Sequence, residues 1–588
     1  MIDFTWKIGG EAGFGIMTTG LVFSKIASRL GYYIFDTIEY PSLIRGGHNA
    51  YEVRVSAEKI HHLKKEIDVL VCLNEETFKK HQQRLTINSL VIFDEDEFKI
   101  KGKKYKKISI PLEKILLDLH GPVIMKNTIA LGASLAVLGG KVDELLKIIV
   151  EQFGRKGEEV VNFNKQFAQT GYDYVKKKYP QQIRPLLIKK SLESKLVMTG
   201  NDAFSLASVI ADCRFFCSYP MTPSSSVLTT LAAWQKKTGI VVRHAEDEIS
   251  VINTALGTSF TGVRSAVGTS GGGFALMVEA VSLSGITETP LVIFLAQRPG
   301  PATGMPTWTE QGDLLFAVYA GHGEFPKIVL APGDVEEMVE LTGKAFNLAD
   351  IYQLPVIVLS DMLLSESHES ISKKFIDDFI KSYKVKRGKF LKEMTNDKLQ
   401  MTNQVQNPNV KSKNFLRYKI TKDGISPRLI PGTPEYFYQA NSYEHLEDGH
   451  TTEEAEPRKN QVEKRNRKWL TYLKEDFSLP KVYGDLEKAK TVFVSWGSGK
   501  GAVLEAQKQL GNTALIHFTH VYPLDKEKVR PFFQKKKRYI LVESNSWGQF
   551  GKLLQQETGV EIKERILKYD GRPITAEEVV KHVNSLTR

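Results

Sequence analysis

The sequence predicts an α/β protein of three successive α/β domains, and three observations predict it. Short apolar runs alternate with amphipathic helical patterns, as strands layered against helices do. The alternation stops twice and restarts twice, after a lysine- and proline-containing stretch at 176–190 and after a long polar stretch at about 370–478. The composition is that of packed globular protein, with 42% hydrophobic, 25% charged and 10% aromatic residues over 588 positions, which leaves room for several cores.

In the first domain, 1–190, strands are read at Thr5–Ile8, Val69–Leu73 and Leu90–Phe93, each followed by a helical pattern. In the middle domain, 191–370, the runs Phe215–Ser218, Ile240–Val242, Ser265–Gly268, Leu291–Ala296 and Val356–Leu359 are apolar without alternation, which suits parallel strands covered on both faces. Ile249–Gly262, rich in small residues, reads as a helix. Residues 371–485 degrade into Lys, Asn, Gln and Pro, including TNDKLQMTNQVQNPNVKSKN, and read as a linker or excursion. In the last domain, 486–588, TVFVSWGSGKGAVLEAQKQL reads as strand, glycine turn and helix, with further strands at Ala514–His517 and Tyr539–Glu543.

Several function classes are excluded. The longest apolar stretches, 121–140 and 281–296, are broken by Lys126 and Asn127 and by Glu288 and Pro290, so none spans a bilayer and no membrane partner is expected. The N-terminal MIDFTWKIGG lacks the basic and apolar regions of a signal peptide, and a cytoplasmic location is expected. Cys72, Cys213 and Cys217 are too few for a disulfide framework or for the four thiolates of an iron–sulfur cluster, so no metal site is expected in this chain. The net charge of +12 is spread over scattered clusters such as Lys176–Lys178 and Lys535–Arg538 with no nucleic-acid motif; it suits steering of an acidic protein partner and no nucleic acid.

Two glycine turns could cradle phosphate. In FTWKIGGEAGFGIMTTG, Gly9, Gly10, Gly13 and Gly15 lie between a strand and a helix, with Glu39 placed as a ribose-binding acid would be, although Thr18 stands where the last glycine of a dinucleotide motif belongs. Trp496-Gly-Ser-Gly-Lys500 superficially suggests a nucleotide loop, but Val494 stands where its first glycine belongs and Gly501 where Ser or Thr belongs.

Three stretches in the middle domain are less generic: Tyr219-Pro-Met-Thr-Pro-Ser-Ser225, Arg243-His-Ala-Glu-Asp-Glu-Ile249 and Gln297-Arg-Pro-Gly-Pro-Ala-Thr-Gly-Met-Pro-Thr307. With them the chain resembles the α subunit of 2-oxoacid:ferredoxin oxidoreductases, of the 2-oxoglutarate synthase type that carries a fused N-terminal γ domain. The resemblance runs nearly the whole length: the GGEAGFG turn and Pro41-Ser-Leu-Ile-Arg-Gly-Gly47 look like the γ domain, Asp423-Gly-Ile-Ser-Pro-Arg428, Pro431-Gly432 and Glu444-His445 like the family's connecting segment. The middle domain resembles a thiamine diphosphate pyrimidine-binding domain, and Val494-Ser-Trp-Gly-Ser498 resembles part of a transketolase-C-terminal-like domain.

The resemblance implies a site. One carboxylate must hydrogen-bond the thiamine pyrimidine and favour its imino tautomer; Glu248 fits by its place before the helix, with Glu246 as runner-up and helix capping as the bland reading of all three acids. A 2-oxoacid carboxylate requires a cation and a hydroxyl, and Arg298 and Thr222, each following a strand, are the candidates, in loops stiffened by Pro220, Pro223, Pro299, Pro301 and Pro306. Thr307, by the same resemblance, helps to select the oxoacid side chain. Gly271 and Gly272, with Gly273, either let a backbone approach the cofactor or form a tight turn. Gly13, Gly15, Arg45, Gly46 and Gly47 are the γ-domain loop residues that would cover the site or contact coenzyme A, a structural loop being the alternative.

Asp423-Gly424, Asp448-Gly449 and Asp570-Gly571 all lack the glycine that precedes the aspartate of a thiamine diphosphate metal segment. The resemblance therefore implies half of an active site, completed by a β subunit that brings Mg²⁺, the diphosphate contacts and a [4Fe-4S] cluster. The expected reaction is oxidative decarboxylation of a 2-oxoacid, 2-oxoglutarate above all, to acyl-coenzyme A and CO₂ with electrons passing to ferredoxin. The alternatives are a pyruvate or broad or branched-chain enzyme of the same family, a standalone transketolase-type enzyme, and a non-catalytic dinucleotide-binding protein.

Overall fold

The computed structural model describes residues 2–42, 46–101, 104–191, 193–391, 413–533 and 536–585. Its strands up to the end of the middle domain are β1 (Asp3–Glu11), β2 (Tyr33–Glu39), β3 (His48–Ser56), β4 (Ile67–Cys72), β5 (Leu85–Phe93), β6 (Lys106–Ser109), β7 (Leu196–Thr199), β8 (Phe215–Ser218), β9 (Val241–His244), β10 (Ser265–Thr269), β11 (Leu291–Gln297), β12 (Ile328–Leu330), β13 (Pro355–Asp361) and β14 (His368–Ile371). The short β15 (Phe390–Leu391), β16 (Lys413–Asn414), β17 (Arg428–Leu429) and β18 (Tyr436–Phe437) follow. The chain ends with β19 (Lys481–Tyr483), β20 (Thr491–Trp496), β21 (Thr513–Phe518), β22 (His520–Tyr522), β23 (Arg538–Glu543) and β24 (Glu564–Leu567). The α/β class expected from the alternation is what forms, and every strand read from the sequence lies within or overlaps one of these.

The first sheet has the order β6-β5-β4-β1-β3-β2-β14-β7. β1 is buried along its whole interior, and its lysine is tolerated there because Lys7 Nζ donates to Glu39 (2.6 Å) and Glu52 (3.0 Å), which keeps the buried charge paired. Two of the eight strands come from beyond residue 190. β14 covers the free edge of β2 through the pair Glu369 and Phe35, with the His368 amide donating to Asp36 (2.8 Å) and the Ile34 amide to the Ser370 hydroxyl (2.9 Å). An edge that would otherwise template aggregation is thereby paired.

The middle sheet has the order β22-β12-β13-β11-β10-β8-β9, with β8 to β13 parallel and β22 antiparallel to β12. β11 and β13 are buried at every residue, which is why their sequences run apolar without alternation. The third sheet is β19-β21-β20-β23-β24. Trp496 and Phe550 of the last body share one apolar core with Phe274 and Leu295 of the middle one, so these two bodies are packed as one.

Residues 371–485, expected as a linker or excursion, are over their described part packed structure. The helix Ala455–Glu475 lays Lys464 and Lys468 against Glu288, with Lys468 at 2.6 Å and all three side chains fully buried. Arg417 donates to the Glu288 carbonyl at 2.7 Å. Burial alone would raise the Glu288 carboxyl, but Lys464, Lys468 and Arg417 hold it well below its ordinary range. A helix whose buried face is basic carries no apolar stripe, and the hydrophobic period that marks a packed helix is missing from its sequence.

Candidate active site

The acidic triplet after β9 divides by position. Glu246 is exposed, Asp247 caps the helix Glu248–Phe260 by accepting from the Ser250 amide at 2.7 Å, and Glu248, the first helical residue, is 3% exposed. Its Oε1 is buried without a hydrogen-bond partner among the described residues. That carboxyl lies over Gly273, where a Cβ would sit 2.4 Å from Oε1. Gly271, Gly272 and Gly273 open the helix Gly271–Thr287 rather than a turn. Their use is spatial: a Cβ on Gly271 would meet the Asp313 carboxylate at 2.4 Å, whereas Gly272 has nothing closer than the Ala302 carbonyl at 3.8 Å. Ser270, which precedes them, is wholly buried with its hydroxyl unpartnered.

Arg298 and Thr222 come together. The Arg298 Nη1 donates to the Thr222 carbonyl at 2.8 Å, so the loops after β11 and β8 meet beyond the C-terminal ends of parallel strands. Among the described residues no carboxylate closes an ion pair with Arg298. Burial lowers the pKa of its guanidinium, and Asp313 opposes the effect. The loop between Arg298 and Asp313 is closed at its base by Gln297, whose Oε1 accepts from the Asp313 amide (2.9 Å) while its Nε2 donates to the Ser360 carbonyl (3.0 Å). Burial pushes Asp313 up to about 6 against the pull of Arg298, and burial with Asp313 beside it pushes Glu310 up to about 7. Asp313 and Glu310 were not singled out from the sequence; two carboxylates in the same loop as Arg298 were the available signal.

Thr307 lies in that loop, 6% exposed, with its hydroxyl unpartnered. It faces a cavity of about 550 Å³ between the first body and the last, lined also by Trp308, Glu39, Arg84, Lys568 and Arg572. The Arg572 guanidinium covers the Trp308 ring at 3.1 Å. A neighbouring cavity of about 600 Å³ brings in Gly47 beside Trp308. Gly13, Gly15, Gly46 and Gly47 share one end of β1 and β3: all four have positive φ, and the Ala12 amide donates to the Gly47 carbonyl at 3.3 Å. Arg45 lies outside the described residues.

Neither glycine turn has the surroundings of the dinucleotide or nucleotide motif it suggests. β3 runs antiparallel between β1 and β2, so Glu39 ends a strand two places away from the Gly10–Thr18 turn and is paired with Lys7. A Cβ on Gly15 would meet Asn127 at 2.4 Å, which gives that glycine a packing reason, and the dinucleotide alternative loses Glu39 as its ribose-binding acid. Lys500 is buried, bonded to Asp334 and, at 2.8 Å, to Glu337. The three cysteines are buried, and burial pushes Cys213 up to about 12 and Cys217 up to about 11. No helix of the described residues is long and apolar enough to cross a membrane.

Two family models match the chain: "Pyruvate flavodoxin/ferredoxin oxidoreductase, thiamine diP-bdg" over residues 207–464 and "Pyruvate ferredoxin/flavodoxin oxidoreductase" over residues 5–174. The 2-oxoacid:ferredoxin oxidoreductase subunit alpha of Saccharolobus solfataricus is 33% identical over 99% of this chain and 98% of its own length. The chain belongs to the 2-oxoacid:ferredoxin oxidoreductases. The KorA subunit of 2-oxoglutarate synthase from Methanothermobacter thermautotrophicus is 28% identical over 66% of this chain and 98% of its own. A solved 2-oxoglutarate:ferredoxin oxidoreductase from Magnetococcus marinus, with 2-oxoglutarate, coenzyme A and succinyl-CoA bound, matches over 100% of both chains at 29% identity with a TM-score of 0.89.

In this oxidoreductase α chain, Thr222, Glu248, Arg298 and Thr307 all lie within the matched thiamine diphosphate segment. The orphaned oxygens of Glu248, Ser270 and Thr307 are buried polar atoms that nothing among the described residues satisfies, and native proteins rarely leave such atoms without a ligand or water. A carboxylate with a free acceptor oxygen beside small-residue backbone fits the hydrogen-bonding nitrogen edge of an aminopyrimidine.

Proposed function

We propose that this chain is the α subunit of a thiamine diphosphate-dependent 2-oxoglutarate:ferredoxin oxidoreductase, and that Glu248, Arg298, Thr222 and Thr307 carry its half of the site. The observation that carries the reading is the buried, unpartnered Oε1 of Glu248 over Gly273. Thiamine diphosphate, when bound, supplies the nucleophilic carbon that attacks the oxoacid carbonyl. Glu248 would accept a hydrogen bond from the pyrimidine ring and hold it in its imino form, and Gly271 and Gly272 would border the ring. Arg298, unengaged by any carboxylate among the described residues, and the Thr222 hydroxyl would hold the substrate carboxylate. Thr307 would sort the oxoacid side chain. The Magnetococcus enzyme's bound 2-oxoglutarate and succinyl-CoA and the named 2-oxoglutarate synthase relatives support the choice of substrate and of coenzyme A.

A β subunit would complete the site, bringing Mg²⁺, the diphosphate contacts and a [4Fe-4S] cluster that passes electrons to ferredoxin. Ile249 and Leu276, 52% and 51% exposed on the two helices that bear Glu248 and Gly273, would form part of the apolar rim on which it docks. The loops around Gly13, Gly15, Gly46 and Gly47 belong to a γ-like domain, 1–190, followed by a pyrimidine-binding domain, 191–370, a connecting segment, 371–485, and a transketolase-C-terminal-like domain, 486–588; the complex would work in the cytoplasm.

The test is coenzyme A-dependent reduction of ferredoxin or a viologen by the chain co-purified with its β subunit, across a panel of 2-oxoacids. Activity greatest with 2-oxoglutarate, reduced at least about 100-fold in Glu248→Gln and in Arg298→Ala complexes, is the expected result. A different best substrate would reassign the oxoacid; a fully loaded complex that reduces nothing with any of them would overturn the reading.

A further inference from the structure

The third body holds the loop that carries Arg298 and Thr307, and it does so mainly through one residue, by main chain and side chain, that no catalytic argument requires. Gln311 is wholly buried. Its amide donates to the Ser544 carbonyl (2.7 Å), its Oε1 accepts from the Ser544 amide (3.0 Å), its Nε2 donates to the Trp496 carbonyl (3.1 Å), and its carbonyl accepts from Asn545 Nδ2 (3.2 Å). Gly497, with a positive φ, leaves room for it: a Cβ there would lie 2.8 Å from Gln311 Nε2. The Trp-Gly-Ser turn after β20, whose lysine is engaged by acids, thus finds its use as a socket for a loop of the middle body. A second, smaller anchor sits two residues earlier, where the Thr309 hydroxyl donates to Asp361 (3.4 Å), whose other oxygen accepts from the Ser498 hydroxyl, and the Thr309 amide donates to the Gly571 carbonyl (3.2 Å).

We infer that Gln311 is a positioning residue: by plugging the loop Arg298–Asp313 into the Trp496–Gly497 and Ser544–Asn545 turns, it sets how tightly and how selectively the oxoacid is held. The role rests on the site reading above and adds to it a distant determinant of selectivity. Losing the two side-chain hydrogen bonds that hold one end of a loop shifts groups at its other end, and displacements of about 1 Å are enough to cost up to about 100-fold in a site that depends on placement.

The experiment compares wild-type, Gln311→Met and Arg298→Ala complexes with the β subunit, measuring thiamine occupancy, kcat and KM for 2-oxoglutarate and for pyruvate. Methionine keeps the volume and removes the side-chain bonds. The expected result for Gln311→Met is KM for 2-oxoglutarate raised about tenfold, kcat and thiamine occupancy within about threefold of wild type, and discrimination between the two acids reduced at least about threefold. Should that complex fail to assemble, Thr309→Val, which deletes one hydroxyl, is predicted to move the same two quantities in the same direction. An assembled variant with both KM values and their ratio within about twofold of wild type, or one that loses kcat equally for both acids together with thiamine, overturns the role. Arg298→Ala separates the two failures: if it keeps wild-type KM values, the site reading falls; if it loses them while Gln311→Met does not, the positioning role alone falls.

Discussion

Glu248 and Asp313 reach the start of the same helix from opposite sides, each occupying space that glycine leaves open, but they differ in what their charge does. Asp313 is coupled to Arg298, and its carboxyl titrates near 6. As pH rises through that value, negative charge appears beside the guanidinium and competes with a substrate carboxylate. KM for the oxoacid is therefore expected to rise several-fold between pH 5 and 8, with the change flattened in an Asp313→Asn complex; KM measured across that range at constant ionic strength checks it, and a flat wild-type profile would discard the coupling. The same shifts bear on stability with a definite sign. Folding holds the Asp313 and Glu310 protons more tightly than the ordinary values of 3.8 and 4.5, so there is no cost below those values and stability is lost as pH rises through about 6 and about 7. At this scale the sequence offered Arg298, Thr222 and three acids, and preferred Glu248 to Glu246 only by its place before the helix. What separates them is burial and a glycine contact made across 25 positions of chain.

The helix Gly271–Thr287 ties two charged sites together, Glu248 over its first turn and Glu288 just past its last residue. Two of its N-terminal glycines are predicted to respond differently to alanine. At Gly273 a methyl group would sit 2.4 Å from Glu248 Oε1, and thiamine binding by the complex should fall about tenfold or more; at Gly272 the space is open and alanine should stabilise the helix by up to about 1 kcal/mol. Calorimetric titration with the cofactor and denaturant unfolding distinguish the two. At the other end, Glu288→Ala would strand Lys464 and Lys468 as buried cations and is expected to cost about 3–5 kcal/mol in urea unfolding. Strands such as β11 were legible because full burial on both faces leaves an unbroken apolar run. The helix Ala455–Glu475 was not, because charge pairing replaces apolar contact on its buried side and the acid that pairs it lies 176 residues earlier. Gln311 was hidden for the same kind of reason: its partners at Trp496 and Ser544 are 185 and 233 residues away.

At the scale of the whole molecule the restarts of the α/β pattern were visible, but the way the bodies interlock was not. Strands of four residues, β7 and β14, complete a sheet begun before residue 60, and nothing in so short a run specifies a distant partner. Arg54 of the first body reaches Glu505 of the last at 2.8 Å, and β22 leaves the third sheet region to extend the second. A chain truncated to residues 191–588 is therefore expected to expose the β14 edge, leave Glu505 with Lys508 but without Arg54, and elute as aggregate, whereas the full chain does not; light scattering on the two decides it. The interlock also has a cost in time. On the ribosome the outer edge of β2 has to wait for His368, whose bond to Asp36 spans 332 residues. At about 5–20 residues per second, translation of those 332 residues leaves that strand uncovered for roughly 17 to 66 s. The nascent protein is most vulnerable in that interval, and holdase chaperones would have to act there.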